Sequence, residues 1–559
     1  MSDPKVEASE NHLEEVDSAV DGIKGSNLEH VNTLGSVRLR HAVTNELVLV
    51  PQPSDDPNDP LNWQVIGLAS KSNQSTNSES RSKRFRVYNA VVVCLAMVMC
   101  NFLAAGPTVA IVQISMDLFP PQRFPNFPAS IAKVAFLFTT TSLMQGLGNL
   151  IWMPLIVKYG RRPVYICSFI LYTATGIWAG LATTYANELA ARILLGFASG
   201  SGECLAPLTI ADIFFLHERG TIMSLYTASL NIGVSGGIII AGLITIHNDW
   251  RYIYYVATAL IGALTVLVIF TMPETSYIRQ RSGAAGTYTS ATVEPESQRP
   301  GKRSYLTSLK LYQGNLTSES LWRIFLRPIV MLALPPVLWA TLVMSVTIGF
   351  LVAITSNFAS AFAEAYGFVP WQSGLCFIAG LIGSAMGILF GGVLSDWVAN
   401  YFTKLNGGIR EPEHRLPTLI IGMLTTPLAL VLYGVAIQHR LHWMVATFAL
   451  GLLTFSIAQA TNVSLLYVID SYRPVAGEVV VAQLGFKALF GFLLFFYTNP
   501  WIAKSGYQNA FGAMAGISAA VLSMWIIFFV YGKRIRLASL QWPIIARSIA
   551  WHADRDIGE

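Results

Sequence analysis

WMPLIVKYGRRPVYICSF, residues 152–169, decides the class of this fold. Apolar residues run to Val157, the six positions from Lys158 to Pro163 carry three cations, and apolar residues resume at Val164. A soluble core has no use for three strong charges there. A chain that crosses a bilayer, turns sharply on the cytosolic side and crosses back does, because Lys and Arg in short loops hold those loops on the cytosolic face.

Composition agrees. The chain has 559 residues, 53% hydrophobic and only 12% charged, with a mean hydropathy of +0.50. Soluble domains carry about 25% charged residues, so one multi-spanning membrane domain is favoured over several soluble ones. The net charge of +5 is small, and no basic–aromatic stretch resembles a nucleic-acid surface. Cys94, Cys100, Cys167, Cys204 and Cys376 fall inside apolar runs with no CxxC or CxxH spacing, so neither a disulfide framework nor a zinc site is expected. The first residues are acidic and polar, unlike a signal peptide.

A helix needs about 20 apolar residues to cross the hydrocarbon core. Twelve stretches qualify, beginning near Val87, Ala129, Val164, Glu188, Thr221, Tyr252, Pro328, Trp371, Leu416, Leu441, Glu478 and Gln508. They predict an all-α membrane protein of two six-helix bundles. Residues 1–85 form a polar, disordered tail, with Trp63 a candidate for docking on the membrane or the bundle. Residues 86–272 form the first bundle, 273–327 a polar linker, 328–531 the second bundle and 532–559 a terminal tail. Cations cluster before span one, in the opening island, in the linker, between spans eight and nine, and after span twelve. The alternate loops hold only Arg123, Arg251, Arg440 and Lys504. Both termini and the linker are therefore expected in the cytosol, at the plasma membrane or alternatively the vacuolar membrane. By this topology the sequons at Asn73, Asn315 and Asn462 carry no sugar.

The two halves resemble each other. GGVLSDWVANYF, residues 391–402, sets Gly392, Leu394, Ser395 and Asp396 where the first half has Met153, Leu155, Ile156 and Val157. Spans four and ten both end on an Asp, an aromatic, a cation and a Gly, in ADIFFLHERG and IDSYRPVAGE. Such matching corners indicate a parallel duplication. With Leu155, Lys158, Gly160, Arg161, Arg162 and Pro163 in the island, ARILLGFASG in span four, DWRY before span six and MPET after it, the sequence resembles the major facilitator superfamily. DPNDPLNW in the tail, DIFFLHERG and PEHRL look like its fungal drug:proton antiporter branch with twelve spans, similar to cation/polyamine and secondary-metabolite transporters. Two features depart from the pattern: Val157 replaces the island's usual Asp, and NIGVSGG in span five lacks the antiporter Pro.

Charges inside a membrane cost several kcal/mol and face a cavity or a partner. The deep candidates are Arg192 and Glu203 in span four and Lys487 in span eleven. Arg192 and Glu203 are eleven residues apart, hence on one helical face roughly 16 Å apart. Glu203 is the expected proton-linked residue, modulated by Lys487 or Arg192. The competing reading is a structural ion pair of Glu203 with Lys487. Spans one, four, seven and ten line the cavity in the family this sequence resembles, which singles out Asn101, Gln459 and Asn462 as ligand candidates; Trp339 is a candidate wall. Asp212, Arg219, Asp470, Arg473 and Glu478 lie at span ends and, with Arg161, Arg162 and Asp396, are expected to latch the cytosolic gate. Lys133 is placed to snorkel, and Pro335 and Pro336 to bend span seven.

These features predict a proton-coupled secondary transporter, exporting small amphipathic compounds by alternating access, monomeric and without a cofactor. Its partners are the substrate, protons and the bilayer, with no nucleic acid. No phosphate-binding GxxxxGK[ST] is present, which argues against an ATP-driven pump. Uptake of organic cations or polyamines is the rival within transport. A membrane-embedded enzyme and a transport-dead sensor are the rivals outside it.

Overall fold

The computed structural model describes residues 37–38, 75–120, 127–276, 309–312, 314–317, 319–540 and 542–543. Trp63 and Asn73 lie outside them. The described residues contain eleven stretches long and apolar enough to cross a membrane. Span one is Arg84–Leu118, two Ser130–Tyr159, three Arg161–Leu181, four Tyr185–Ile213, five Glu218–Ile244 and six Arg251–Thr271. Span seven is Pro335–Tyr366, eight Pro370–Leu405, nine Pro412–Gln438 and ten Trp443–Ser471.

The last stretch, Ala476–Ser539, has 64 residues. A straight helix of that length would run roughly 96 Å, about three times the hydrocarbon thickness. It reverses at Gly506, whose φ of 76° and ψ of 164° are open to glycine without strain. Glu478 near its start pairs with Arg327. The Tyr507 N–H donates to Gln438 Oε1 at the end of span nine, and the Trp339 indole at the start of span seven donates to the Val521 carbonyl. The chain thus leaves one face, turns at Gly506 on the other and returns. Residues 476–505 are span eleven and 507–539 span twelve.

The packing repeats six spans on. Spans one and five, two and four, three and four, and three and six pack together in the first half. Spans seven and eleven, eight and ten, nine and ten, and nine and twelve do so in the second. Across the halves, span two meets span eleven and span eight meets span five. Glycines set these close approaches. A Cβ added to Gly196 would sit 2.3 Å from the Thr141 carbonyl oxygen, and one on Gly383 would sit 2.0 Å from that of Gly451. Lipid offers no hydrophobic drive for helix association, so small residues that let backbones touch carry it. Large apolar side chains such as Phe270, Leu424 and Phe448 face outward.

Two boundaries differ from expectation. Span seven begins at Pro335, after a separate helix Leu321–Met331. Pro335 and Pro336 therefore start the helix rather than bend it; a proline costs nothing in a first turn whose N–H groups have no partner. Within the expected disordered tail, Val37–Arg38 pairs antiparallel with Ile409–Arg410, between spans eight and nine. All five cysteines are free thiols, four of them buried.

Candidate functional site

One cavity lies between the halves, lined by spans one, two, four, five, seven and eleven. Its volume of about 160 Å³ holds roughly 11 to 16 waters at 10–15 Å³ each. Its lining reaches Ile111 and Val112 in span one, Ile131 in span two, Ser360 in span seven and Phe495 in span eleven. Each lies toward the end of its span away from the KYGRRP island. The cavity therefore runs from mid-span toward the sparsely charged face.

Glu203 and Lys487 are both among the cavity's lining residues. Lys487 Nζ donates to both carboxylate oxygens of Glu203, at 3.1 and 3.3 Å. The carboxylate belongs to span four and the ammonium to span eleven, so this ion pair joins the two halves. Tyr226 in span five donates its hydroxyl to the Glu203 carbonyl, which fixes the backbone beside the pair. Cys100 of span one packs on Gly202, one residue away. Asn101 also lines the cavity, its Nδ2 donating to the Met97 carbonyl within its own helix.

Arg192 is elsewhere. It is fully buried and its Nε donates to Glu188 Oε1 at 3.2 Å, one turn earlier in the same helix. Tyr254 of span six donates to the same oxygen at 2.7 Å and accepts from Arg192 Nη2. The guanidinium also lies against Phe138, 4.7 Å from the ring centroid. The shared helical face of Arg192 and Glu203 does not make a shared site, because the nearer acid, Glu188, captures the arginine. The i, i+4 spacing of Glu188 and Arg192 was the available signal.

Gln459 and Asn462 are fully buried in span ten outside the cavity lining. Gln459 Nε2 donates to the Thr418 carbonyl at 2.8 Å, and Asn462 Nδ2 to that of Gly391 at 2.7 Å. They tie span ten to spans nine and eight, and burial closes the Asn462 sequon. Trp339 stacks on Phe528 away from the cavity. Lys133 is exposed with its ammonium over the Phe119 ring.

Several charge clusters lie at the basic face. In the first half Arg161 pairs with Asp212 at 2.6 Å. Glu274 receives the backbone N–H groups of Arg161 and Arg162 at 3.0 and 3.1 Å, and so caps span three. Arg162 donates to the carbonyls of Ile269 and Met272. Gly160, at φ 94°, leaves room for that carboxylate: an added Cβ would sit 2.6 Å from Glu274 Oε2. The Lys158 carbonyl accepts from Leu316, which anchors the end of the linker. Arg219 closes the turn between spans four and five on the carbonyls of Ala211 and Phe214.

In the second half Asp396 meets Arg415 at 2.6 Å and Arg410 at 3.6 Å, and Arg415 reaches Asp470 at 3.5 Å. Burial first, and the Arg415 guanidinium next, push Arg410 down to about 10, so it stays charged at neutral pH. Arg536, near the end of span twelve, pairs with Glu411 and Glu413. Glu478 meets Arg327, and Arg473 is buried nearby in sequence. Sequence reasoning missed Glu274, Arg410, Arg415 and Arg327 as partners, since nothing in their local pattern marks which span end they will reach.

Asp396 also touches the other half. Its Oδ2 accepts from Thr221 Oγ1 at 3.4 Å, at the first turns of span five. A Cβ on Gly220 would stand 2.1 Å from Asp396 Oδ1. Gly220→Ala is therefore expected to part span five from span eight at the basic face. Faster alkylation of a cysteine introduced by Ser224→Cys, now buried against Gly392, checks this; an unchanged rate refutes it.

Known proteins share this chain's sequence pattern and its fold. The sequence profile of the Major Facilitator Superfamily matches residues 91–493. MFS-type transporter penM of Penicillium rubens is 26% identical over 542 residues, covering 94% of this chain and 97% of that protein. Efflux pump radE of Floropilus chiversii is 26% identical, covering 74% of this chain and 76% of its own. The solved structure of the proton:xylose symporter XylE bound to 6-bromo-6-deoxy-D-glucose shares the fold, with a TM-score of 0.59 at 15% identity, over 82% of this chain and 100% of that one. On its sequence and its twelve-span architecture, this chain is a multi-pass membrane transporter of the major facilitator superfamily.

Proposed function

We propose that this protein is a proton-coupled secondary transporter that exports small amphipathic compounds by alternating access, with Glu203 as its proton site. The observation that carries the reading is the Glu203–Lys487 pair, which is the floor of the cavity and a bond between the halves at once. A proton on Glu203 removes the charge that holds Lys487. The tie between spans four and eleven then loosens, and the halves are free to rock about the site. When the proton leaves, the pair re-forms. One group thus links occupancy by a proton to the relation of the two halves, which is what coupling requires.

The loop cations support a basic face in the cytosol. On that orientation the conformer described here faces outward, with its cytosolic side shut by the Asp396 contacts to span five. The plasma membrane is the site this reading favours, with the protein working as a monomer. The likeness to an efflux pump supports export as the direction. Against a polycation substrate stands the site's charge: the cavity's carboxylate is already neutralised by Lys487.

Glu203→Gln tests the reading. The amide keeps the shape and cannot ionise. Transport by the purified variant in proteoliposomes is expected to lose its dependence on an imposed pH gradient, while exchange without a gradient persists. Retained pH dependence would remove Glu203 from the coupling role.

A further inference from the structure

The two members of the ion pair are not equally placed. The Glu203 side chain is 2% exposed, against 10% for Lys487. A solute descending the cavity meets the ammonium first, with the carboxylate behind it. Both Glu203 oxygens rest on that one ammonium, so a ligand that takes Lys487 must release Glu203. The other charged and titratable groups around Glu203 are few. Tyr226 holds its carbonyl, and Cys100 of span one and Cys204 on its own helix lie close by. None of them supplies a second cation to Glu203.

The rest of the cavity is apolar with scattered uncharged donors. Phe138, Leu230, Ile348, Val352 and Phe492 make greasy walls. Gln145, 4% exposed, lines the same space, and its Nε2 has no hydrogen-bond partner. A cation in the cavity lining, an amide with hydrogen-bonding capacity to spare and apolar walls above them match one head-group chemistry.

We propose that the cavity takes an amphipathic monocarboxylate, whose carboxylate displaces Glu203 from Lys487 while Glu203 takes up a proton. Charge balances: one anion and one proton arrive, Lys487 keeps one anionic partner, and the site gains no net charge. If Glu203 stayed ionised, two carboxylates would compete for one ammonium in a low-dielectric floor, an arrangement that like-charge repulsion disfavours. An organic cation faces the opposite problem, since it meets Lys487 before it meets an acid. The acid and its proton therefore bind together and cross together as an electroneutral unit, and export runs down the acid's own gradient. This rests on the transporter reading with Glu203 as the proton site, and adds the substrate's charge and the sign of the linkage.

The test uses the full-length protein in nanodiscs and three probes of one skeleton: phenylbutyrate, phenylbutylamine and phenylbutyramide. Calorimetry in buffers of different ionisation enthalpy reads affinity and proton uptake together. Phenylbutyrate is expected to bind at least about tenfold tighter than the amine, with uptake of one proton per anion. Lys487→Gln is expected to erase the preference for the acid over the amide, and Lys487→Arg to restore it. An amine that binds as well as the acid, acid binding without proton uptake, or binding of none of the three overturns the proposal. The parent reading fails separately, through pH-dependent transport that survives Glu203→Gln. A carboxylate preference alongside that survival would keep the Lys487 subsite and move the proton elsewhere.

Discussion

Lys487→Ala is expected to destabilise the protein by about 3–5 kcal/mol, the usual cost of stripping a buried charge of its partner. Glu203 is 2% exposed, and Lys487 is the donor to both its side-chain oxygens. Without the ammonium the carboxylate is left uncompensated between spans four and eleven. Glu203→Gln in the same chain removes that charge and is expected to recover most of the lost stability without recovering proton coupling. Thermal unfolding of wild type, both single variants and the double variant, all in one detergent, gives the coupling between the two residues directly. Additive effects would mean that the pair contributes nothing as a pair.

Arg192→Leu is expected to cost a similar about 3–5 kcal/mol for the same physical reason, with a different functional signature. Glu188 is 1% exposed, its Oε2 has no hydrogen-bond partner, and Arg192 and Tyr254 serve its Oε1. Removing the guanidinium strands an acid that is already half-satisfied. Glu188→Leu combined with Arg192→Leu is expected to be more stable than Arg192→Leu alone, because an apolar pair of similar volume leaves no charge to bury. The pH profile of transport is expected to hold in the double variant, since Arg192 lies outside the cavity lining. A shifted profile would return Arg192 to the proton pathway.

These two arginine and lysine sites show how far the sequence reached. That Glu203 and Lys487 sit deep in apolar spans was legible, because ionised groups are rare there and demand a reason. That they meet was one of two open alternatives, since they stand 284 positions apart and no local pattern joins them. The placing of Arg192 with Glu203 followed correct helical geometry to the wrong partner. Spacing along a helix gives the face, but the acid one turn away and the tyrosine from span six decided where the guanidinium goes. Gln459 and Asn462 show the same limit. Their span was legible, and their carbonyl partners in spans nine and eight were not.

The sequence by itself determined the class, the span count, the internal repeat and the basic face. Each follows from local composition: hydropathy over a span length, and cations in short loops. Even the reversal that divides the last 64-residue stretch was readable, because polar residues such as Lys504, Gln508 and Asn509 interrupt the apolar run around Gly506. Tertiary structure alone decided which charges pair, which face of each span lines the cavity, and that Asp396 meets span five while Val157 holds the matching place in the first half. The reason is dielectric as much as geometric. In a low-dielectric bundle each buried charge must find a partner, and which partner is nearest depends on how twelve helices pack.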